Sequence, residues 1–181
     1  MLKSISNIRQ KQEGAIMMKN TIEFKNSELT GLANVLGGFK LKGKASLGRT
    51  VLIRKFAKKQ EEVNEDRVEI QKKYFETDKE GSLRVFKGSE GKLIPRSELI
   101  DKEDPKKLGT KAAKELDDEI KELNNEKAII DFSEYSPRFK ALKDALEDYP
   151  YELESDSAIA YERVYDLSLI HISEPTRQEA I

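Results

Sequence analysis

Apolar residues recur at helical spacing over roughly residues 47–75, the most persistent periodic run in the chain. Phe56, Val63 and Ile70 follow one another at intervals of seven residues, and Leu52 and Tyr74 fall on the same side of a helix. So narrow an apolar seam is typical of coiled-coil-like helices, which cover it by packing lengthwise against another helix. We therefore predict a long helix here that requires a helical partner.

A second periodic run, from Thr110 to about Leu123, predicts that partner. Its seam consists of Ala112, Leu116, Ile120 and Leu123. The intervening residues, 77–109, contain four glycines, the last of them Gly109, and two prolines, which predicts a loop. Within it we predict a short hairpin that pairs residues 83–86 with residues 92–94. We expect the two long helices to pack as an antiparallel pair.

Two short segments predict strands. Residues 21–25 alternate polar and apolar side chains, as a half-buried strand does. Residues 127–132 contain Ala128, Ile129 and Ile130 in succession, as a buried strand does. We predict that the second strand pairs with residues 22–24.

Shorter helices are predicted between these elements. Asn26 or Ser27 is a suitable cap for a helix that ends at Gly37-Gly38, and Gly43 and Gly48 indicate a linker after it. Ser136 is predicted to cap a helix with Pro137 at its first position. A final helix is expected over residues 157–165.

These elements predict an α+β fold that is mainly helical. It would combine a long antiparallel helix pair with a two- or three-stranded sheet and short helices around one end. Charged residues are 37% of the chain and aromatic residues 7%, which favours solvated helices around a thin apolar seam over a thick sheet core. We predict one domain over residues 18–166.

The residue types restrict the chemistry. The chain has no cysteine, and its one histidine, His171, lies in a tail that we do not expect to be natural protein. The commonest general base, thiolate nucleophiles and the usual zinc ligands are then missing. We expect no catalytic residue, metal site or cofactor, and hence a protein that is not an enzyme. The sequence also contains no apolar stretch long enough to span a membrane.

One basic stretch is a candidate contact surface, because residues 29–60 contain eight basic and no acidic residues. Such a stretch could neutralise phosphates and bind nucleic acid, or it could pair with the acidic residues that occur without a base from Asp144 to Glu162. The slightly negative net charge of −1 favours pairing within the chain. The candidate contact residues are Lys40, Lys42, Lys44, Arg49, Arg54, Lys55, Lys58 and Lys59.

Both ends look like additions. The codons for Gln12-Glu13-Gly14 can contain a ribosome-binding sequence, which would place the start of translation at the methionines that follow, Met17 or Met18. We therefore predict that residues 1–17 are a translated leader or a disordered arm. The run LSLIHISEPTR, residues 167–177, resembles a translated sequencing adapter. We therefore predict that residues 167–181 are an adapter artefact and contribute nothing to the fold.

The residues between these ends resemble a known family. The resemblance is carried by three segments: Asn20 to Leu29, Leu41-Lys42-Gly43-Lys44, and Arg49-Thr50 before a long charged helix. They resemble the tailed-phage family catalogued as domain of unknown function 1617. The resemblance implies a phage protein encoded near tail and lysis genes, and it supplies no catalytic residue.

Two functions are favoured over a third, an enzyme that relies on carboxylates alone. The first is a non-enzymatic phage accessory protein, associated with the tail or with virion assembly, that contacts a phage protein, a host protein or a second copy of itself. The second is a phage protein that binds nucleic acid through Lys40 to Lys59. Both would act in the host cytoplasm during infection, and the first also in the virion, without a membrane partner.

Overall fold

A computed structural model of the protein describes residues 21–153 and 155–165. The predicted leader, the adapter-like tail with His171, and Glu154 lie outside the described residues. The fold is α+β and mainly helical, as predicted. In chain order the elements are strand β1 (Thr21–Lys25), helices α1 (Leu29–Gly38), α2 (Gly43–Lys72) and α3 (Thr110–Asn125), strand β2 (Lys127–Asp131), and helices α4 (Ser136–Glu147) and α5 (Ser155–Tyr165).

The chain forms two compact units. One contains Val35–Leu52 and the described residues from Ile129 onward. The other contains Phe24–Asn34 and Ile53–Ala128. We call them the terminal unit and the hairpin unit.

The hairpin unit contains the predicted antiparallel helix pair. Near the end of α2 the Lys73 ammonium lies 2.5 Å from the Glu119 carboxylate of α3, and further back Arg67 donates to the Asn124 side-chain carbonyl at 3.0 Å. This order of contacts shows that α2 and α3 run in opposite directions. On the seams, Phe56, Val63, Ala112 and Leu123 are buried, whereas Ile70, Leu116 and Ile120 are half-buried.

The predicted strand pairing is also confirmed, since β1 and β2 form a two-stranded antiparallel sheet. Phe24 on β1 packs edge-on against Phe56 with ring centroids 5.1 Å apart. The predicted cap after β1 is wrong. Asn26 is buried, and its side-chain amide donates to the Leu123 carbonyl at 2.8 Å, because that carbonyl at the end of α3 needs a donor.

Residues 73–109 connect α2 to α3. Three short extended segments pair within residues 75–95, and a 3-10 helix at Ser97–Leu99 and a bridge between Ile100 and Leu108 follow them. The predicted hairpin is present, since Val85 pairs with Leu93 and the Phe86 amide donates to the Lys92 carbonyl at 2.9 Å. A third segment, around Glu76, joins both arms: its amide donates to the Ile94 carbonyl at 2.8 Å, and its carbonyl accepts from the Arg84 amide at 2.9 Å. Backbone hydrogen bonds therefore join Glu76, Arg84 and Ile94 pairwise, so each of the three segments is bonded to the other two.

In the terminal unit the beginning of α2 packs against α4. The prediction of a linker containing Gly43 and Gly48 is wrong, because α2 begins at Gly43, with φ at 55°, and Gly48 is buried within it. A Cβ added at Gly48 would lie 2.3 Å from the carbonyl oxygen of Arg138 on α4. Glycine is thus required at this close approach of two helices.

Helix α4 begins differently from the prediction. Ser136 is its first residue rather than its cap, and Tyr135 occupies the cap position in the left-handed conformation, with φ at 63°. Pro137 is the second residue of the helix rather than the first, but it still lies in the first turn, where a missing amide proton costs nothing. Phe139 and Leu142 are buried on its inner face, and Phe139 packs edge-on against Phe132 at 4.6 Å.

No helix in residues 21–153 and 155–165 combines the length and apolar character that crossing a bilayer would require.

Candidate functional site

The basic residues predicted as a contact surface are divided between the two units. Half of them belong to the terminal unit and half to the hairpin unit: Lys40, Lys42, Lys44 and Arg49 in the first, and Arg54, Lys55, Lys58 and Lys59 in the second. Each group is therefore a separate candidate.

Several of these side chains already have partners within the chain. Arg49 donates to the carbonyl of Phe39 and, at 3.3 Å, to the hydroxyl of Ser46, so it holds the connection between α1 and α2. Lys59 pairs with Glu62 at 2.6 Å, one turn further along α2. The exposed residues of the basic stretch are Lys40, Lys42, Lys44, Arg54 and Lys58.

The acidic run after residue 144 also has local partners. Asp144 pairs with Lys140 at 3.2 Å and Glu147 with Lys143 at 3.7 Å, each along one face of α4. These are ordinary helix pairs four residues apart. They give no support to the interpretation that the acidic run is neutralised by the basic stretch.

Four tyrosines of the terminal unit form a surface that the sequence interpretation missed. The ring of Tyr149 lies 5.3 Å from that of Tyr151 and 6.3 Å from that of Tyr161, and Tyr161 stacks on Tyr165 at 5.7 Å with 20° between the planes. We call Tyr149, Tyr151, Tyr161 and Tyr165 the tyrosine surface. Four of the six tyrosines in the chain fall within residues 149–165, which is the signal that sequence inspection could have used.

Hydrogen bonds and a buried ring beneath hold this surface in place. Phe39, which is buried, packs against Tyr149 at 5.0 Å and Tyr161 at 6.2 Å. The Tyr149 hydroxyl accepts from the Lys40 amide at 3.1 Å, and the Tyr161 hydroxyl donates to the Leu146 carbonyl at the end of α4. Burial, with smaller contributions from Tyr165 and Asp148, raises the pKa of Tyr161. Tyr149 and Tyr161 therefore act as fixed supports.

The outer members of the surface face solvent. Tyr151 is 48% exposed and Tyr165 is 38% exposed, and the Lys40 ammonium lies 5.0 Å from the centre of the Tyr151 ring. Tyrosine brings a large contact area with few rotatable bonds, so such rings lose little entropy when a partner covers them. The arrangement suits molecular recognition.

Two open clefts of the hairpin unit are larger than a further one, of about 250 Å³, beside Glu76 and Arg96. One, of about 480 Å³, lies between residues 98–103 and the beginning of α3; the other, of about 340 Å³, runs along α2 and α3 and is lined by Asp66, Glu69, Glu119 and Glu122 among others. Within the part of the chain that the structure describes, no group of acidic or histidine side chains is arranged to hold a metal ion.

Tyr74 forms a polar cluster with Lys73 and Glu119, which both line the second cleft. Its hydroxyl donates to the Glu119 carboxylate at 2.7 Å, and Lys73 donates to the other oxygen. The bonds from Lys73 and then Tyr74 hold the pKa of Glu119 below its usual value. Burial, followed by the hydrogen bond to Glu119, raises the pKa of Tyr74 to about 12.

We expect Tyr74 to ionise well above the ordinary tyrosine pKa in the folded protein. Its contribution to stability should be complete below that ordinary pKa of about 10 and be lost as the pH rises from there to about 12. A rapid pH-jump titration of phenolate absorbance should show a step near pH 12 that is missing in Tyr74→Phe. In Glu119→Gln that step should move to lower pH; an unmoved step would mean that Glu119 does not hold the phenol.

Comparison with known proteins assigns the chain to a family. The sequence matches the family described as "Protein of unknown function (DUF1617)" over residues 18–168, so the chain belongs to that family. No curated protein and no solved structure matches it.

Proposed function

We propose that this chain is a non-enzymatic accessory protein that works through protein–protein contacts made by the tyrosine surface. The observation that carries the proposal is the pair of half-exposed rings, Tyr151 and Tyr165, on the firmly held rings of Tyr149 and Tyr161. Folding alone does not require two large rings to remain in water. A partner that covers them would gain hydrophobic contact with little loss of side-chain entropy.

The proposed setting is a tailed phage, as the family resemblance of Asn20 to Leu29 and Leu41 to Thr50 implies. There the chain would associate with the tail or with virion assembly and contact a phage or host protein in the host cytoplasm. The exposed rings are compatible with either partner. Self-association through the same surface is a third form of this proposal.

Site-specific photo-crosslinking tests the proposal. A photoreactive phenylalanine analogue placed at position 151 during infection should give a discrete adduct with a virion or assembly protein, or with a second copy of the chain. The matched control is position 135, because Tyr135 is a similarly exposed tyrosine of the same unit outside the tyrosine surface. Equal adducts at 151 and 135, or none at 151, would contradict the proposal.

Nucleic-acid binding is the second candidate function. It is favoured by the exposed side chains of Lys42 and Lys44 at the beginning of α2, where unpaired backbone amides add to the positive charge. Arg54 and Lys58, in the hairpin unit, are a separate exposed basic pair. A low-salt gel-shift titration discriminates the two functions, because a submicromolar and salt-sensitive complex would replace the protein-contact proposal with this one.

A further inference from the structure

Carboxylates border the tyrosine surface. Asp148 precedes Tyr149 and Glu152 follows Tyr151 in the chain, while Glu162 lies one turn before Tyr165 on α5. All three are exposed, and none forms an ion pair with another residue in the described ranges. The Asp148 charge is near enough to the Tyr161 hydroxyl to oppose its ionisation.

One cation already lies against a ring of the tyrosine surface. The Lys40 ammonium lies 5.0 Å from the centre of the Tyr151 ring, within the range of a cation–π contact. The outer face of the Tyr165 ring, stacked on Tyr161, has the same chemistry and is 38% exposed. The three carboxylates next to these rings outnumber the two positive charges of Lys40 and Arg163, so the surface attracts positive charge.

We propose that the tyrosine surface binds a cationic, arginine-rich segment of its protein partner, an inference that rests on the protein-contact function proposed above. Guanidinium groups stack on aromatic rings and also bind carboxylates through two parallel hydrogen bonds. One arginine would stack on Tyr165 and pair with Glu162. A second would compete with Lys40 for Tyr151 and pair with Glu152. An acidic segment would meet like charge at all three carboxylates.

Binding of short synthetic peptides to the full chain tests this inference. A fluorescent peptide of alternating arginine and glycine should bind by anisotropy at low salt and weaken as salt is raised. The same peptide with citrulline, which keeps the shape and removes the charge, should bind about tenfold more weakly. Tyr151→Ala and Tyr165→Ala should each weaken arginine-peptide binding about tenfold, whereas Tyr151→Phe and the control Tyr135→Ala should leave it unchanged.

Several results would overturn the cationic preference. These are equal affinity for the arginine and citrulline peptides, tighter binding of a glutamate–glycine peptide or of polyphosphate, and wild-type affinity in Tyr151→Ala. Far-ultraviolet circular dichroism of each variant verifies that it is folded, and Tyr151→Phe separates loss of the ring from loss of the hydroxyl. If the crosslink at position 151 persists while the arginine peptide fails to bind, only this inference fails; if that crosslink is missing, the protein-contact function fails with it.

Discussion

Replacing Val63 with aspartate should destabilise the protein by roughly 3 kcal/mol or more, a large fraction of the stability of an ordinary domain. Val63 is 5% exposed and lies on the face of α2 that also carries Phe56 and Ile70. An aspartate there would be desolvated without a partner, and its carboxylate would either stay charged at high cost or take up a proton. Urea denaturation of wild type and variant measures the loss directly.

The matched control is Val68→Asp, the same substitution five residues later on the same helix. Val68 is 37% exposed, and valine and aspartate have similar helix propensities, so its effect should stay within about 0.5 kcal/mol. Burial should raise the pKa of the carboxyl introduced at position 63 above its unfolded value. The extra loss in Val63→Asp should therefore be smaller below about pH 4 and grow as the pH rises. Equal losses at 63 and 68 would show that the seam is not covered.

The helix pair and the sheet could be predicted because their signals are periodic and local. The seven-residue spacing of Phe56, Val63 and Ile70 fixes which face of α2 is buried, whichever helix covers it. The successive apolar residues of β2 indicated the strand itself, but the prediction that it is buried is wrong: Ala128 and Ile130 are buried, whereas Ile129 is 53% exposed, because alternate residues of a strand face opposite sides. The expected pairing with β1 followed because the chain offers few other strand-like segments.

Single polar and glycine residues were harder to interpret, because their roles depend on residues distant in the chain. Asn26 has the side chain of a good helix cap, but the Leu123 carbonyl, far along the sequence, binds its amide instead. Ser136 likewise has the chemistry of a cap, yet Tyr135 takes that position in the left-handed conformation. Neither outcome can be derived from propensity alone.

The candidate site was missed for a related reason. A run of basic residues is easy to recognise in a sequence because its members are neighbours. The tyrosine surface instead combines residues from a loop and from α5, and it lies on a phenylalanine that follows α1. Only the fold brings Phe39 under Tyr149 and Tyr161. Conversely, the basic stretch is continuous in sequence but is divided between two units, with Arg49 and Lys59 engaged in internal contacts.

Gly48→Ala should destabilise the protein by about 2 kcal/mol, although alanine normally stabilises a helix relative to glycine. The new methyl group would lie 2.3 Å from the Arg138 carbonyl oxygen and 3.1 Å from the Leu142 Cβ, so the backbones of α2 and α4 would have to move apart. Overpacking of this kind costs roughly 1–3 kcal/mol or more, which exceeds the gain of up to about 1 kcal/mol in helix propensity. Leu142, which is fully buried, would lose contacts as the helices separate.

Gly31→Ala provides the control, because Gly31 is also a helical glycine but has open space where its Cβ would lie. Without a steric clash, only the propensity term remains, and the variant should be stabilised by roughly 0.5–1 kcal/mol. The two substitutions are chemically identical, so opposite signs in urea denaturation would isolate the close approach of α2 and α4 as the cause. If Gly48→Ala also stabilised the protein, α4 would have to lie further from α2 than the Arg138 contact requires.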